Sequence, residues 1–482
     1  MVENSINEPE MPGVLGELER LLQGARRIFS QERVFLRAQA LFVAELLTLG
    51  RHTVTQLLRT LGLVDQDWSA WYRLWEEARF DAHAASSYVL EATLANAPSS
   101  EPYVTTVDGV ILYRTGTHVA GSSLWRGQDT VAYRPGLQRG QRFVEVAWLT
   151  PDEGSFCRAI PLRWLPAVTA KAVPSTAVPC KEWEAGLEAL SWVRGMLDAH
   201  GRAAQTLVGV MDGSYDVQDL WRHAPERTVL LVRTLSNRCL YSMPTPLEGP
   251  RGRGRPASYG ERLPKPSSYL QSRTAAHWKE VDLPVRGRQR HLKYRVIGPA
   301  LLDTLPDRPV FLIVVRGQEY RVGKRKRRKR YRKPAYYLVS AVQREGAWVL
   351  PFPVATLLLW AWQRWECEVA HREMKSALGI GEKQCWSAEA GLLVVQWGVW
   401  VYSLCVLAAY RAWGLTRGPR RRGGWYRSAR RWSFTAMWQA YREALWGVGE
   451  FRPLYTPTLA RWLKIDAWLG GLGNALADVG RI

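Results

Sequence analysis

Across residues 1–98 the apolar positions recur at helical spacing. Phe35 to Leu49 (FLRAQALFVAELLTL) is dense in helix formers. Thr53 to Leu61 and Asp67 to Ala78, parted by the break at Gly62, predict two short helices. These two form either a helix-turn-helix or an ordinary helical hairpin, and the pattern favours the hairpin. Ala97 to Glu101 (APSSE) reads as a polar linker. From Tyr103 the period drops to two, predicting strands over Tyr103 to Tyr113 (YVTTVDGVILY), Arg142 to Leu149 (RFVEVAWL) and Phe156 to Leu162. An amphipathic helix follows, Glu182 to Ala199, with Trp183, Leu187, Leu190, Val193 and Leu197 on one face. Thr206 to Met211 (TLVGVM) and Thr228 to Arg233 (TVLLVR) read as buried strands around a short helix, Tyr215 to Arg222.

The order strand, strand, strand, helix, strand, helix, strand is that of a ribonuclease H-like α/β sheet. Residues 235–349 interrupt it with a Pro/Gly/Arg-rich loop, Pro244 to Lys265, and strand-like runs at His291 to Ile297, Val310 to Val315 and Tyr336 to Val342. A long helix is expected from Pro353 to Leu378. Gly391 to Ala409 is apolar for about twenty residues, nearly enough to span a bilayer, but it directly follows a charged helix and reads as a buried core helix. The expected fold class is therefore α/β: a ribonuclease H-like mixed sheet with a mainly β insertion, flanked by N-terminal and C-terminal helical regions. The expected units are 1–98 (helical, DNA-binding), 99–234 (first part of the core), 235–349 (insertion), 350–390 (core helix) and 391–482 (helical, basic).

Composition narrows the partners. The 482 residues carry 66 Lys plus Arg against 44 Asp plus Glu, a net charge of +22 that favours a polyanion, nucleic acid first and an anionic membrane second. Hydrophobic residues at 47% and charged residues at 23% exclude a disordered chain. The cysteines form no CxxC pair and the histidines no HxxxH, so no structural zinc site is expected. Scattered cysteines fit a reducing cytoplasm, and the first thirty residues carry no basic-then-apolar leader pattern.

Metal-assisted phosphodiester cleavage needs carboxylates converging from separate parts of the chain. Asp108 interrupts an apolar strand, where a charge is costly unless paired or liganded. Asp212 directly follows VGVM, at the carboxyl end of a strand, where α/β sheets gather functional groups. Taken singly, either aspartate is more often a cap, a turn former or a member of an ion pair than a catalytic group. Asp216 and Asp219 suit a helix start or an exposed face. On the long helix, Glu366, Glu368 and Glu373 compete for a third place. Arg364, Glu368, His371 and Lys375 fall at i, i+4, i+7 and i+11, one stripe that serves either as a metal-and-phosphate face or as a salt-bridged surface.

Arg364, Glu368 and Lys375 resemble the R-(3)-E-(6)-K spacing of bacterial insertion-sequence transposases of the DDE class, whose Tyr-Arg-Glu-Lys signature carries the catalytic glutamate. Leu378 to Ile380 (LGI), Gln384 to Ser387 (QCWS), the strand at Asp108, VMDGSY around Asp212, GRGRP from Gly252 and Leu46 to Arg59 are similar too, so the likeness spans roughly residues 35–410. The signature tyrosine is replaced by Ala361. The resemblance implies that Asp108, Asp212 and Glu368 are catalytic and ligate two Mg²⁺, with Mn²⁺ as a substitute. It further implies phosphate contacts from Arg364 and Lys375, with His371 added to the DNA-binding set by its place in the stripe, double-stranded DNA ends and target DNA as partners, a homodimer on DNA, and a bacterial, nucleoid-associated cytoplasmic location without a membrane.

Two basic runs extend the DNA-binding set. Arg321 to Lys333 (RVGKRKRRKRYRK) has ten cations in thirteen residues, including Lys324, Arg325, Lys326, Arg327, Arg328, Lys329 and Arg330. It is expected to be a flexible loop until it meets a polyanion. Arg417 to Arg431 includes Arg420, Arg421 and Arg422 and interleaves Trp425 and Tyr426, a mix suited to backbone contact plus stacking. The favoured expectation is an active cut-and-paste transposase. A retired, DNA-binding derivative and a membrane-associated basic protein are the alternatives.

Overall fold

The strands and helices form where the apolar period places them, and the differences lie in how they join. A computed structural model describes residues 13–126, 136–244, 257–271, 278–322, 328–385, 387–419 and 430–446. Five helices open the chain: α1 (Val14–Gly24), α2 (Glu32–Leu47), α3 (Val54–Thr60), α4 (Ser69–Glu76) and α5 (Ala82–Leu94). Thr53 and Asp81 cap α3 and α5 by accepting the backbone N–H of Gln56 and Ala84. The connection 61–68 between α3 and α4 exceeds the roughly 3–4-residue turn of a helix-turn-helix, so the hairpin reading fits.

The central sheet begins with β1 (Tyr103–Tyr113), β2 (Ser122–Arg126), β3 (Leu137–Leu149) and β4 (Ala159–Pro166). It continues through α6 (Glu182–Ala199), β5 (Leu207–Met211), α7 (Gln218–His223) and β6 (Thr228–Arg233). β1 lies antiparallel to β3 and parallel to β5, which is parallel to β6, while β3 is antiparallel to β4. The order β4–β3–β1–β5–β6 is the expected ribonuclease H-like arrangement, and β2 shares the outer edge of β3 with β4.

After β6 come β7 (Leu240–Ser242), β8 (Lys279–Val285), β9 (Arg288–Leu302), β10 (Leu305–Val315), β11 (Gln318–Val322), β12 (Arg328–Arg332), β13 (Ala335–Ser340), β14 (Val342–Arg344) and β15 (Ala347–Val349). The insertion is mainly β, but it is not a layer of its own. β13 pairs with β6 through Tyr337–Val339, and β10, β9 and β7 follow, so that the whole is one eleven-stranded sheet. The reason is the open edge of β6, whose unpaired backbone groups this pairing covers. β11 and β12 stand off it as a separate two-stranded ribbon. The basic run expected as a loop is thus partly ordered, although Lys324, Arg325, Lys326 and Arg327 lie outside the described residues.

The expected single helix is two, α8 (Val354–Gln363) and α9 (Trp365–Ser376), meeting at Arg364. Leu357 and Leu358 of α8 pack on Val208, Val210, Val229, Leu231, Ile313 and Val339 of the sheet. α10 (Ala388–Trp413) is long and apolar enough to cross a bilayer, yet 83% of its apolar window is buried within the molecule. It packs against α1, α4, α5 and β4, which matches the core-helix reading. α11 (Phe434–Trp446) follows. The helices between Val14 and Leu94 therefore share one hydrophobic core with α10 and the sheet. Lys383 and Glu45 reinforce the union with a fully buried ion pair of 2.7 Å, and Glu45 also accepts the Trp397 indole N–H at 3.0 Å.

Candidate active site

The parallel pairing of β1 with β5 sets Val107 opposite Met211, so the next residues, Asp108 and Asp212, emerge on neighbouring strands. Asp212 starts the 3₁₀ turn Gly213–Tyr215, and its Oδ1 accepts the Ser214 backbone N–H at 2.7 Å and the Ser214 hydroxyl at 2.8 Å. Asp108 Oδ1 accepts the Gly109 N–H at 2.9 Å. Its Oδ2 accepts from Arg364 Nη1 at 2.5 Å, and Arg364 Nη2 donates to Glu368 Oε1 at 2.8 Å. One guanidinium, placed at the junction of α8 and α9, thus ties the β1 aspartate to the helix glutamate.

Electrostatics agree with the convergence. Burial pushes the Asp108 carboxyl up to about 6; Arg364 and His371 oppose the rise, and the nearby carboxylates of Asp212 and Glu368 add to it. Burial works against the Arg364 charge, but Asp108 and Glu368 outweigh it and raise that pKa. Two carboxylates share one arginine with the charge of Asp212 close by, and arginine competes with any other cation for their oxygens.

The other two glutamates of the helix are engaged elsewhere. Glu366 is held by Arg286 at 2.7 Å and Arg431 at 3.1 Å. Glu373 pairs with Arg158 at 3.0 Å and accepts the Tyr402 hydroxyl at 2.7 Å. Glu368, with a third of its side chain exposed, is the one that joins Asp108. Asp216 is consumed by Thr234, Trp221 and Arg238, and Asp219 sits in the first turn of α7.

His371 departs from expectation. It is 8% exposed, edge-on to Trp164, with Nε2 3.3 Å from Glu145, so burial removes it from a phosphate-facing stripe. Glu145 faces Asp108 across β1 and β3, is fully buried, and accepts from Trp164 Nε1 at 2.5 Å and Cys367 Sγ at 2.9 Å. Glu145, Cys367 and His371 brace α9 against the sheet. Sequence reasoning passed over Glu145, yet its signal, an acid inside the apolar run RFVEVAWL, is the one that singled out Asp108. Lys375 is exposed at the far end of α9, and Lys329 and Arg330 are exposed on β12 beside Arg328. Arg420, Arg421 and Arg422 lie outside the described residues, as does the loop 251–256.

A family model for DDE superfamily endonucleases matches residues 28–295, more than half of the chain. The chain belongs to the DDE endonuclease superfamily. The match includes Asp108 and Asp212 and ends in β9, before the helix that carries Glu368. No curated protein matches the chain. DDE endonucleases act on DNA with divalent metal ions. Asp108 and Glu368, bridged by Arg364 with Asp212 on the neighbouring strand, offer hard carboxylate oxygens of the kind such an ion takes. The three potential ligands that already lie within 4.8 Å of one another among the described residues are Glu145, Cys367 and His371.

Proposed function

We propose that this DDE endonuclease is the transposase of an insertion sequence, which cuts the element's ends and joins them to target DNA. The observation that carries the reading is the link Asp108–Arg364–Glu368 beside Asp212, which supports one carboxylate triad drawn from β1, the end of β5 and α9. Asp108, Asp212 and Glu368 would hold two Mg²⁺, or Mn²⁺ in their place, which supply Lewis acidity to the attacking and leaving oxygens.

The chain's own groups do the rest. The carboxylates fix where the scissile phosphate sits. Arg364 is planar and bidentate, and turns from its carboxylates to phosphate oxygens when the triad is otherwise neutralised. Lys375, one face along α9, offers a point charge to a neighbouring phosphate. Water attacks phosphorus, the bond to the 3′ oxygen breaks, and that oxygen leaves as a 3′ hydroxyl. In the second step this hydroxyl attacks a target phosphodiester, forming one P–O bond as another breaks. Two element ends require two protomers, so a homodimer on DNA belongs to the proposal.

A strand-transfer assay tests it. Pre-cut duplex carrying an element end with a 3′ hydroxyl should become joined to a plasmid, and the same duplex with a 3′-deoxy end should not. Cleavage without joining would leave a plain endonuclease. DNA binding with neither would favour the retired derivative.

A further inference from the structure

Arg290 of β9 and Arg332 of β12 lie over the same indole, that of Trp362 in α8, at 5.6 Å and 5.1 Å from the ring centroid. Both distances fall within the roughly 6 Å range of cation–π attraction. Two like charges on one ring repel each other, and no carboxylate among the described residues is within ion-pair distance of either. The Nε of each arginine is buried without a hydrogen-bond partner, and Arg332 spends one Nη on Gln318 Oε1 at 3.0 Å. Structural arginines such as Arg158 also leave a buried Nε unpartnered, but the Arg158 charge is neutralised by Glu373 at 3.0 Å, and neither Arg290 nor Arg332 has such an acid among the described residues. A paired, pre-oriented and unneutralised set of guanidiniums lacks an anion.

The pair adjoins the triad. Tyr337 of β13 feels the charges of Arg332, Arg364 and Arg233, and Arg233 stands directly opposite it at the end of β6. Arg233, too, has no carboxylate partner among the described residues. Cations therefore run from the β11–β12 ribbon past Trp362 and Tyr337 to the arginine that holds Asp108.

We propose that Arg290 and Arg332, set on Trp362, form a clamp for a DNA backbone phosphate, continued by Arg233 towards the triad. This rests on the DNA reading above and assigns a site outside the Arg-Glu-Lys stripe, one that joins Arg332 of the basic run 321–333 to Arg290 and Arg233 from other strands. Trp362 seats both guanidiniums against its ring. The phosphate supplies the charge that their repulsion lacks.

The test uses the full chain carrying Glu368→Gln, so that DNA is bound without being cut, and a linear duplex of arbitrary sequence. Affinity is measured against salt concentration. Adding Arg290→Gln and Arg332→Gln should flatten the slope of log K against log salt by about 0.9 for each DNA phosphate that is no longer neutralised. The paired Lys substitutions keep the charges and should keep the slope. An unchanged slope in the Gln pair, with the parent still binding, overturns the clamp and leaves the DNA reading standing. An equal fall in the Lys pair traces the effect to a disturbed fold around Trp362 and also overturns it. A parent that binds no duplex takes down both readings.

Discussion

Asp108 is the residue on which pH acts. Its folded pKa of about 6 lies above its ordinary 3.8, so the folded chain holds this proton more tightly than the unfolded one. Without metal, the group's cost grows as pH rises from about 4 to about 6 and is fully present above that, on the order of 3 kcal/mol. A divalent ion needs the ionised form and offsets that cost. Thermal stabilisation by Mn²⁺ or Mg²⁺ should therefore be large at pH 7 and shrink as pH falls through about 6. Stabilisation that is equal at pH 5 and pH 7 would contradict the assignment. The glutamates of α9 separate by stability. Glu373→Gln leaves Arg158 buried without its partner and should cost about 3–5 kcal/mol in denaturant unfolding. Glu368→Gln, on a partly exposed side chain, should cost under about 1 kcal/mol. The reverse order would mean that the acids have exchanged roles. Helical spacing already separated Glu368 from Glu366 and Glu373. What it did not reveal is that Glu145 lies opposite Asp108, because strand register is a long-range fact, and that this acid draws His371 inward.

At the scale of elements, the strand and helix spans were legible because each carries its own period. β1 and β6 and the helix α6 fall where the pattern puts them. Pairing was less legible. Nothing local in Tyr336 to Val342 says that it will cover the edge of β6 rather than build a separate sheet. Nor does the pattern place a break at Arg364, since both flanks read as helical, the first apolar and the second charged. α10 shows how packing decides a helix's fate. A Cβ at Gly398 would lie 2.7 Å from Ile380 Cγ1, so Gly398→Val should destabilise by about 1–3 kcal/mol. Gly391, on the same helix, has nothing within 4 Å of such a Cβ, so Gly391→Ala should be neutral or stabilise by up to about 1 kcal/mol. Thermal unfolding of the two variants checks this. Equal destabilisation would show that the Ile380 contact does not distinguish the two glycines.

At the scale of the molecule, the N-terminal helices, the sheet and α10 form one cooperative body. The Glu45–Lys383 pair was not legible in the pattern of the N-terminal helices, because it joins positions far apart in sequence. The net charge of +22 was legible at once, but where it gathers was not, since the arginines around Trp362 come from separate strands. We propose that this body holds Asp108, Asp212 and Glu368 as the carboxylates of a DDE endonuclease. The most direct test is Mg²⁺-dependent strand cleavage of duplex carrying the sequences that flank this gene, comparing the native chain with Glu368→Gln. The account predicts cleavage at a defined end by the native chain and none by the variant, with DNA binding retained. Cleavage that survives Glu368→Gln would contradict it.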